Sequence, residues 1–415
     1  MRPQFNSRYA VRHCGKQLAN DGRTKGRFMA AKTINVGLVG TKFMGKAHSN
    51  AYLKVAKFFD VDPQPVMKAI CGRHVEETAE FAKRFGWESY ESDWRKLCER
   101  KDIDLVDIST PGGLHHDIAV AAAKNGKHVY CEKPLAFNLK DARAMLEAAR
   151  KAGVVHMVNF NYRVVPALAL AQEMIKAGEI GEVRHFRATY LQDWLVDPKF
   201  PMNWRLRKDA AGSGANGDLN AHHVDMARYL VGEIGEVVGM QKTFISERPA
   251  EGRSAGLTAT AGEGTEKVTV DDATLFLAKF TGGALGSFEA TRLAPGRKNY
   301  NRIEVNGSRG SIVFNFEDMN VLEFYSCADP PGRQGFRRIM ATEGTHPYVS
   351  AWWPPGHVLG YEHTFVHAVY ELMNAINKKP TRMSDFRDGA QCVAVLDAVE
   401  KSIGERTWAK VETVN

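Results

Sequence analysis

At 415 residues the chain exceeds the size at which a single hydrophobic core usually stops growing, so two domains are expected. Its make-up, 44% hydrophobic and 25% charged, is ordinary for a globular enzyme, and no apolar run approaches a membrane span or a signal peptide. Of the net charge of +8, residues 1–28 carry +6 through seven Arg or Lys and one Asp, which argues against nucleic-acid binding by the folded body.

Residues 1–31 lack periodicity and Met29 stands just before the first strand pattern, so a disordered extension or a mis-assigned start is expected there. The six cysteines (14, 71, 98, 131, 327 and 392) are scattered without metal or redox spacing, which fits reduced thiols and a cytoplasmic location.

Thr33 to Val39 reads as a buried strand, followed by Gly40-Thr41-Lys42-Phe43-Met44-Gly45 and a helix toward Lys57. A strand, a glycine corner and a helix make a phosphate-binding turn, because the helix's first amides face an anion. The spacing matches G-x-G-x-x-G with Lys42 in place of the middle glycine. Its side chain either crowds a dinucleotide or swings aside and lends its charge to a phosphate. Val66 to Cys71 is a second strand and His74 to Arg84 a helix. The corner Gly72-Arg73 lacks the acid that holds the ribose of NAD, and an arginine there suits a 2′-phosphate or an adenine face. The expectation is NAD or NADP, leaning to NADP or dual use.

Asp104 to Ser109 is the next strand, with the loop Thr110-Pro111-Gly112-Gly113-Leu114-His115-His116 at its carboxyl end. Ile118 to Lys124 is a helix, Lys127 to Cys131 a strand, Leu139 to Lys151 a helix and Val154 to Asn159 a last strand. Such alternation predicts a Rossmann-type, doubly wound parallel sheet over 32–158, the dinucleotide-binding domain. The strand ending at Cys131 delivers Glu132-Lys133-Pro134. A lysine there must leave the apolar layer, and the proline stiffens its turn, so Lys133 points into the crevice where ligands bind.

Residues 159–415 read as a second, α+β domain for substrate and oligomerisation. Pro166 to Ala177 is a helix; strands follow at Val183–Gln192, Val237–Ser246, Ala273–Phe280, Ala284–Arg292, Asn301–Asn306 and Ser311–Phe316. Their short connections predict a largely antiparallel open sheet with helices on one face. Its other face needs cover, which a second subunit supplies. Pro249 to Val268, rich in Gly, Ala, Thr and Glu, reads as a mobile loop. Gly212 to Tyr229 is a glycine-rich loop running into a helix that carries Asp218, His222 and Asp225. At i,i+4 spacing, Asp218 and His222 converge on one ligand, and a carboxylate beside a histidine suits a general base. No third or fourth ligand has matching spacing, so no metal is expected.

These stretches resemble the glucose–fructose oxidoreductase / inositol dehydrogenase / rhizopine catabolism family (Gfo/Idh/MocA) from Ile34 to the C-terminus. The resemblance rests on GLVGTKFMGKAHSNAY, the TP-x-x-x-H loop, GKHVYCEKPLA, VNFNYR, GSGANGDLNAHHVDMARYLVGE and AWWPPGHVLGYEHTF. TYLQDW and NWRLRKDAAGSGANGD are similar to the branch of levoglucosan dehydrogenase and related sugar or glycoside dehydrogenases. It implies the same two folds, a nicotinamide cofactor and a catalytic lysine–aspartate–histidine set, which motif matching puts on Lys133, Asp218 and His222. Gly112 departs from the family's pattern, where an asparagine is common, and His223 is an added neighbour.

The expected cofactor contacts are Gly40, Lys42, Phe43, Met44, Gly72, Arg73, Thr110, Pro111, His115, Glu132 and Lys133. Groups suited to a sugar are Tyr162, Arg163, Tyr190, Gln192, Asp193, Trp194 and Trp204, together with Asp218 and His222. The expected reaction is hydride transfer between nicotinamide and a secondary hydroxyl of a sugar, anhydrosugar, glycoside or cyclitol. Lys133 would steady the oxygen while His222 takes its proton, with Asp218 orienting His222 or holding a substrate hydroxyl. The alternatives are a glycoside lyase or hydrolase that uses bound NAD transiently and a non-catalytic sugar or cofactor sensor. Partners are expected to be the carbohydrate or cyclitol and further copies of the chain, as homodimer or homotetramer through the second sheet, with no nucleic acid and no membrane.

Overall fold

The computed structural model describes residues 32–255 and 258–415, and residues 32–415 form one compact unit. The reading of residues 1–31 as an extension lies outside the described residues. The first half holds six parallel strands: β1 (Thr33–Val39), β2 (Gln64–Cys71), β3 (Ser89–Glu91), β4 (Leu105–Ile108), β5 (His128–Cys131) and β6 (His156–Val158). Their order is β3-β2-β1-β4-β5-β6. Helices α1 (Phe43–Phe58), α2 (Val75–Phe85), α3 (Trp94–Glu99), α4 (His115–Lys124) and α5 (Leu139–Ala152) connect them. Val36, Leu38, Leu105, Val106 and Val129 are fully buried, as strands covered on both faces require. Strand order reverses between β1 and β4, which opens a crevice beyond their carboxyl ends. The phosphate turn, the Thr110 loop and the Lys133 turn all follow strands that end there.

The second half opens with α6 (Pro166–Lys176), β7 (Val183–Leu191), α7 (Lys208–Ala211) and α8 (Ala221–Leu230). Then come β8 (Ile234–Lys242), β9 (Glu247–Ala255), β10 (Thr258–Lys267), β11 (Ala273–Phe280), β12 (Leu285–Thr291), β13 (Tyr300–Gly307) and β14 (Gly310–Asn315). The chain ends with β15 (Val321–Ser326), β16 (Arg337–Met340), α9 (Tyr361–Ile376), α10 (Phe386–Glu405) and β17 (Ala409–Lys410). Nine strands form one sheet in the order β16-β15-β14-β13-β7-β12-β11-β8-β17. It is antiparallel except where β7 runs parallel to β12. Along β11 the side chains alternate, Phe276, Ala278 and Phe280 facing the core and Leu275 and Leu277 outward. The expected fold pair is therefore present.

Two expectations need revision. Pro249 to Val268 is no loop: β9 and β10 pair as two antiparallel strands, with Arg248 paired to Glu266 and Glu247 to Lys267. Small and polar residues hid it, because a strand that buries few side chains carries no hydrophobic alternation. The helix with Asp218 and His222 is not a regular one: Asn216–Asn220 is a π turn that precedes α8. The C-terminal helices also return to the parallel sheet. Phe59, just past α1, stacks on Tyr370 of α9 at 4.5 Å, and Val158 of β6 donates to the carbonyl of Ser384, just before α10, at 2.9 Å.

Candidate active site

Gly40 follows β1 with φ +123°, a conformation that favours glycine, and a Cβ on it would lie 2.5 Å from Ser109 Oγ. A Cβ on Gly45 would meet the Gly40 carbonyl at 2.1 Å, so α1 can start this close to the strand only with glycine there. The corner retains the close backbone approach that a dinucleotide phosphate needs. Lys42 does not fill it: its ammonium lies 2.8 Å from Glu77 of α2, exposed to solvent. Arg73 is exposed beyond the end of β2, and Phe43 is half exposed at the start of α1.

The Thr110 loop and the Lys133 turn are stapled by His115, which is buried with Nδ1 3.0 Å from the Pro134 carbonyl and Nε2 3.0 Å from that of Thr110. Burial lowers its pKa, outweighing the two carbonyls that favour the charged ring. Gly112, the departure from the family pattern, has a local cause. A Cβ there would sit 2.4 Å from the ring of Phe137, which also closes on Gly212. Glu132 is not offered to a ligand. Its Oε1 accepts from Asn159 at 2.6 Å and lies 2.8 Å from His48, and its Oε2 accepts the Lys133 backbone N–H at 3.2 Å.

Lys133 Nζ reaches across to the second half. It donates to Asp218 Oδ1 at 2.8 Å and to the Asp218 carbonyl at 3.0 Å. The other carboxylate oxygen accepts from Arg292 Nη2 at 2.7 Å. Burial pushes Asp218 up, but the cations of Lys133, Arg292 and Arg205 outweigh it and hold this carboxyl well below its usual range. Asp218 is thus an anion clasped by cations. It does not orient His222, because the π turn directs its carboxylate to Lys133 and Arg292. His222 is buried and stacks on the Tyr162 ring (centroids 4.2 Å apart, 20° between planes), and among the described residues none hydrogen-bonds its Nδ1. Its pKa lies well below the ordinary 6.5 because burial, and then the Lys133 cation, disfavour the imidazolium more than Asp218 favours it.

Beside His222 runs a chain of polar side chains. The hydroxyls of Tyr162 and Tyr190 lie 3.0 Å apart, and Tyr190 donates to Asn299 Oδ1 at 2.8 Å. Gln192 donates to the same oxygen at 2.9 Å and accepts from Trp194 Nε1 at 3.0 Å. Arg205 stacks on Trp204 at 4.3 Å. Lys133, Asp218, His222, Tyr162, Tyr190, Gln192 and Trp194 are therefore linked by contacts in one region. Arg163 is not among them: all its donors go to Asp225 and Asp388, beginning with Nη2 to Asp225 Oδ1 at 2.6 Å in the core. Asp193 is paired with Lys298 at 2.7 Å. His223 faces the sheet, 3.2 Å from Asn301, with burial holding its pKa down to about 3. Sequence reading missed Arg292, Arg205 and Asn299. The one available signal was a cation closing an apolar strand, Arg292 after β12, as Lys133 follows β5.

A glycine-cornered parallel sheet joined to an open sheet that completes a lysine–aspartate cluster defines a class of dinucleotide-dependent oxidoreductase. Residues 34–160 match the model of the oxidoreductase family with an NAD-binding Rossmann fold, and residues 168–313 match the GFO/IDH/MocA C-terminal domain. The chain belongs to the Gfo/Idh/MocA family of oxidoreductases.

Among its relatives is the levoglucosan dehydrogenase of Pseudarthrobacter phenanthrenivorans, 44% identical over 92% of this chain and all of that protein. The myo-inositol 2-dehydrogenase of Thermotoga maritima is 30% identical over 92% of this chain and 99% of that one. A structure of levoglucosan dehydrogenase in complex with NADH superposes with a TM-score of 0.87 at 43% identity, covering 92% of this chain and all of the other. An oxidoreductase domain protein from Kribbella flavida has the same TM-score and coverage at 51% identity.

Proposed function

We propose that this chain is an NAD-dependent dehydrogenase that oxidises a secondary hydroxyl of a sugar or anhydrosugar. The observation that carries it is the Lys133 ammonium clasped by Asp218 next to His222, a buried imidazole held neutral. The glycine corner at Gly40 and Gly45 fits a dinucleotide phosphate, and the Thr110-Pro111 loop lies on the other flank of the crevice. When bound, nicotinamide supplies the hydride acceptor.

Lys133 donates to the substrate oxygen and stabilises alkoxide character as the proton leaves. His222 takes that proton at Nε2, since its Nδ1 is enclosed. A neutral imidazole is the form a base needs, and such a group contributes roughly 10²–10⁴-fold. Asp218 keeps Lys133 in place, with Arg292 holding the carboxylate from behind. Tyr162, Tyr190, Gln192 and Asn299 present hydroxyls and amides to the sugar, and Trp194 an apolar face.

The cofactor half is 32–158 and the substrate half 159–415. NAD is the main cofactor, in keeping with the NADH bound by a relative. Arg73, with no acid beside it at the end of β2, leaves room for NADP as well. Met240, Leu275, Leu277 and Leu285 expose 40–68% of their surface on the outer sheet face, which supports a second copy as its cover.

The test is absorbance at 340 nm with purified protein, NAD or NADP, and a panel of sugars, anhydrosugars, glycosides and cyclitols. Growth with NAD on a sugar or anhydrosugar is the expected result. Substrate consumed without a 340 nm signal would replace this reading with a lyase or hydrolase that uses its cofactor transiently. Binding without turnover would replace it with a sensor.

A further inference from the structure

Beneath the Lys133 turn lies a buried ionic cluster that the proposed chemistry leaves unused. His48 stands in the second turn of α1, and its side chain is fully enclosed. Its Nδ1 lies 2.9 and 2.8 Å from the two oxygens of Asp107 in β4, and its Nε2 lies 2.8 Å from Glu132 Oε1, just past β5. Tyr52, one turn further along α1, donates to Asp107 at 2.8 Å. Asn159 donates to Glu132 and accepts from the Tyr130 hydroxyl at 2.6 Å. Every polar group of the cluster is matched.

The shortest contact of each His48 ring nitrogen is to a carboxylate; the Asn159 amide also lies 3.2 Å from Nε2, but its shorter bond, 2.6 Å, goes to Glu132 Oε1. A proton on each nitrogen, the imidazolium, matches these carboxylates best. Burial lowers its pKa, but Asp107 and Glu132 outweigh it and raise it to about 10. The His48 cation stands between the two carboxylates, and the Lys133 ammonium, bound to Asp218, adds a lesser favourable field at Glu132. Buried ions stabilise a fold poorly compared with apolar side chains, so a cluster of this kind points to a need for fixed geometry.

Three segments meet on His48: the helix that starts at the phosphate turn, the strand leading to Thr110 and the strand delivering Lys133. We infer that His48 is a positioning residue for Lys133. By holding Glu132, whose second oxygen receives the Lys133 backbone N–H, it ties the lysine's turn to the helix whose first amides face the cofactor phosphates. The inference rests on the role proposed above for Lys133.

The variant to make is His48→Gln, assayed at a temperature where circular dichroism finds it folded. A turn displaced by about 1 Å costs roughly 10²-fold in rate, so kcat falls by about that factor. The sugar KM and the NADH affinity, read by nicotinamide fluorescence, stay within about threefold, since substrate and phosphate contacts remain. If the single variant does not fold, His48→Gln with Asp107→Asn removes one of the two buried carboxylates left without the imidazolium and carries the same expectation. A folded variant with normal kcat would overturn the inference. So would kcat, KM and NADH affinity declining in step, the mark of general damage. Lys133→Met, measured alongside, separates the failures: normal turnover there sinks the site reading itself. An inactive Lys133→Met beside a normal His48→Gln sinks only this inference.

Discussion

Replacing Lys133 by methionine keeps the length of the side chain and removes its charge, and the geometry sets the size of two effects. Lys133 is 16% exposed at its side chain and holds both the carboxylate and the carbonyl of Asp218, so it is more than a surface lysine. Asp218 retains Arg292 at 2.7 Å, and its side chain is still about one-third open, so the loss approaches that of one hydrogen bond to a charged group. That is about 2 kcal/mol, or a fall of about 2–4 °C in Tm by calorimetry. The effect on chemistry is larger. Loss of one preorganised donor at a developing oxyanion costs about 10²–10³-fold in kcat.

The same variant removes the second cause of the depressed His222 pKa. The acid limb of its residual pH profile therefore moves up from well below 6.5 toward that value, without passing it, because burial remains. Steady-state kinetics from pH 5 to 8 on folded protein measures both. A kcat within a few-fold of the parent, or an acid limb that stays put, would refute the reasoning.

Alkaline stability tests the charged state of His48. Its folded pKa is raised to about 10, so its contribution is full below 6.5, declines as pH rises through that interval and is gone above about 10. Tm should drop more steeply between pH 7 and 10 in the parent than in His48→Gln, and parallel curves would contradict a buried imidazolium. Gly112→Asn, the residue common in the family at this position, should drive a Cβ into Phe137 and cost about 1–3 kcal/mol. Adding Phe137→Ala should recover most of that loss in a denaturant titration; no recovery would exonerate the ring. Sedimentation of the parent should give a dimer or tetramer, and Leu277→Glu on the outer sheet face should lower that mass. A monomer in the parent would leave the face without a copy as its cover.

Much of the fold is legible because strands buried on both faces must be apolar, as Val36 to Val39 and Val129 to Cys131 are, and because glycine marks corners where a side chain cannot fit. Lys133 stood out for the same reason: an ammonium at the end of such a strand has to leave the core. The paired β9 and β10 were not legible, since Arg248 and Glu266 carry no apolar alternation. Arg163 and Asp193 have the chemistry of sugar ligands, and only their partners, Asp225 and Lys298, tell that they are spent elsewhere.

The sequence alone determined the strand–turn–helix units, the phosphate corner and the candidates Lys133, Asp218 and His222, all of which follow from local spacing. Tertiary structure decided what each one contacts. A carboxylate at i,i+4 from a histidine is equally able to orient it or to face away. Here the π turn and the approach of β12 give Asp218 to Lys133 and Arg292, which lie 85 and 74 residues away along the chain. The two buried imidazoles are shifted apart in the same way: Asp107 and Glu132 raise the pKa of His48 against its burial, whereas at His222 burial and Lys133 outweigh Asp218 and lower it.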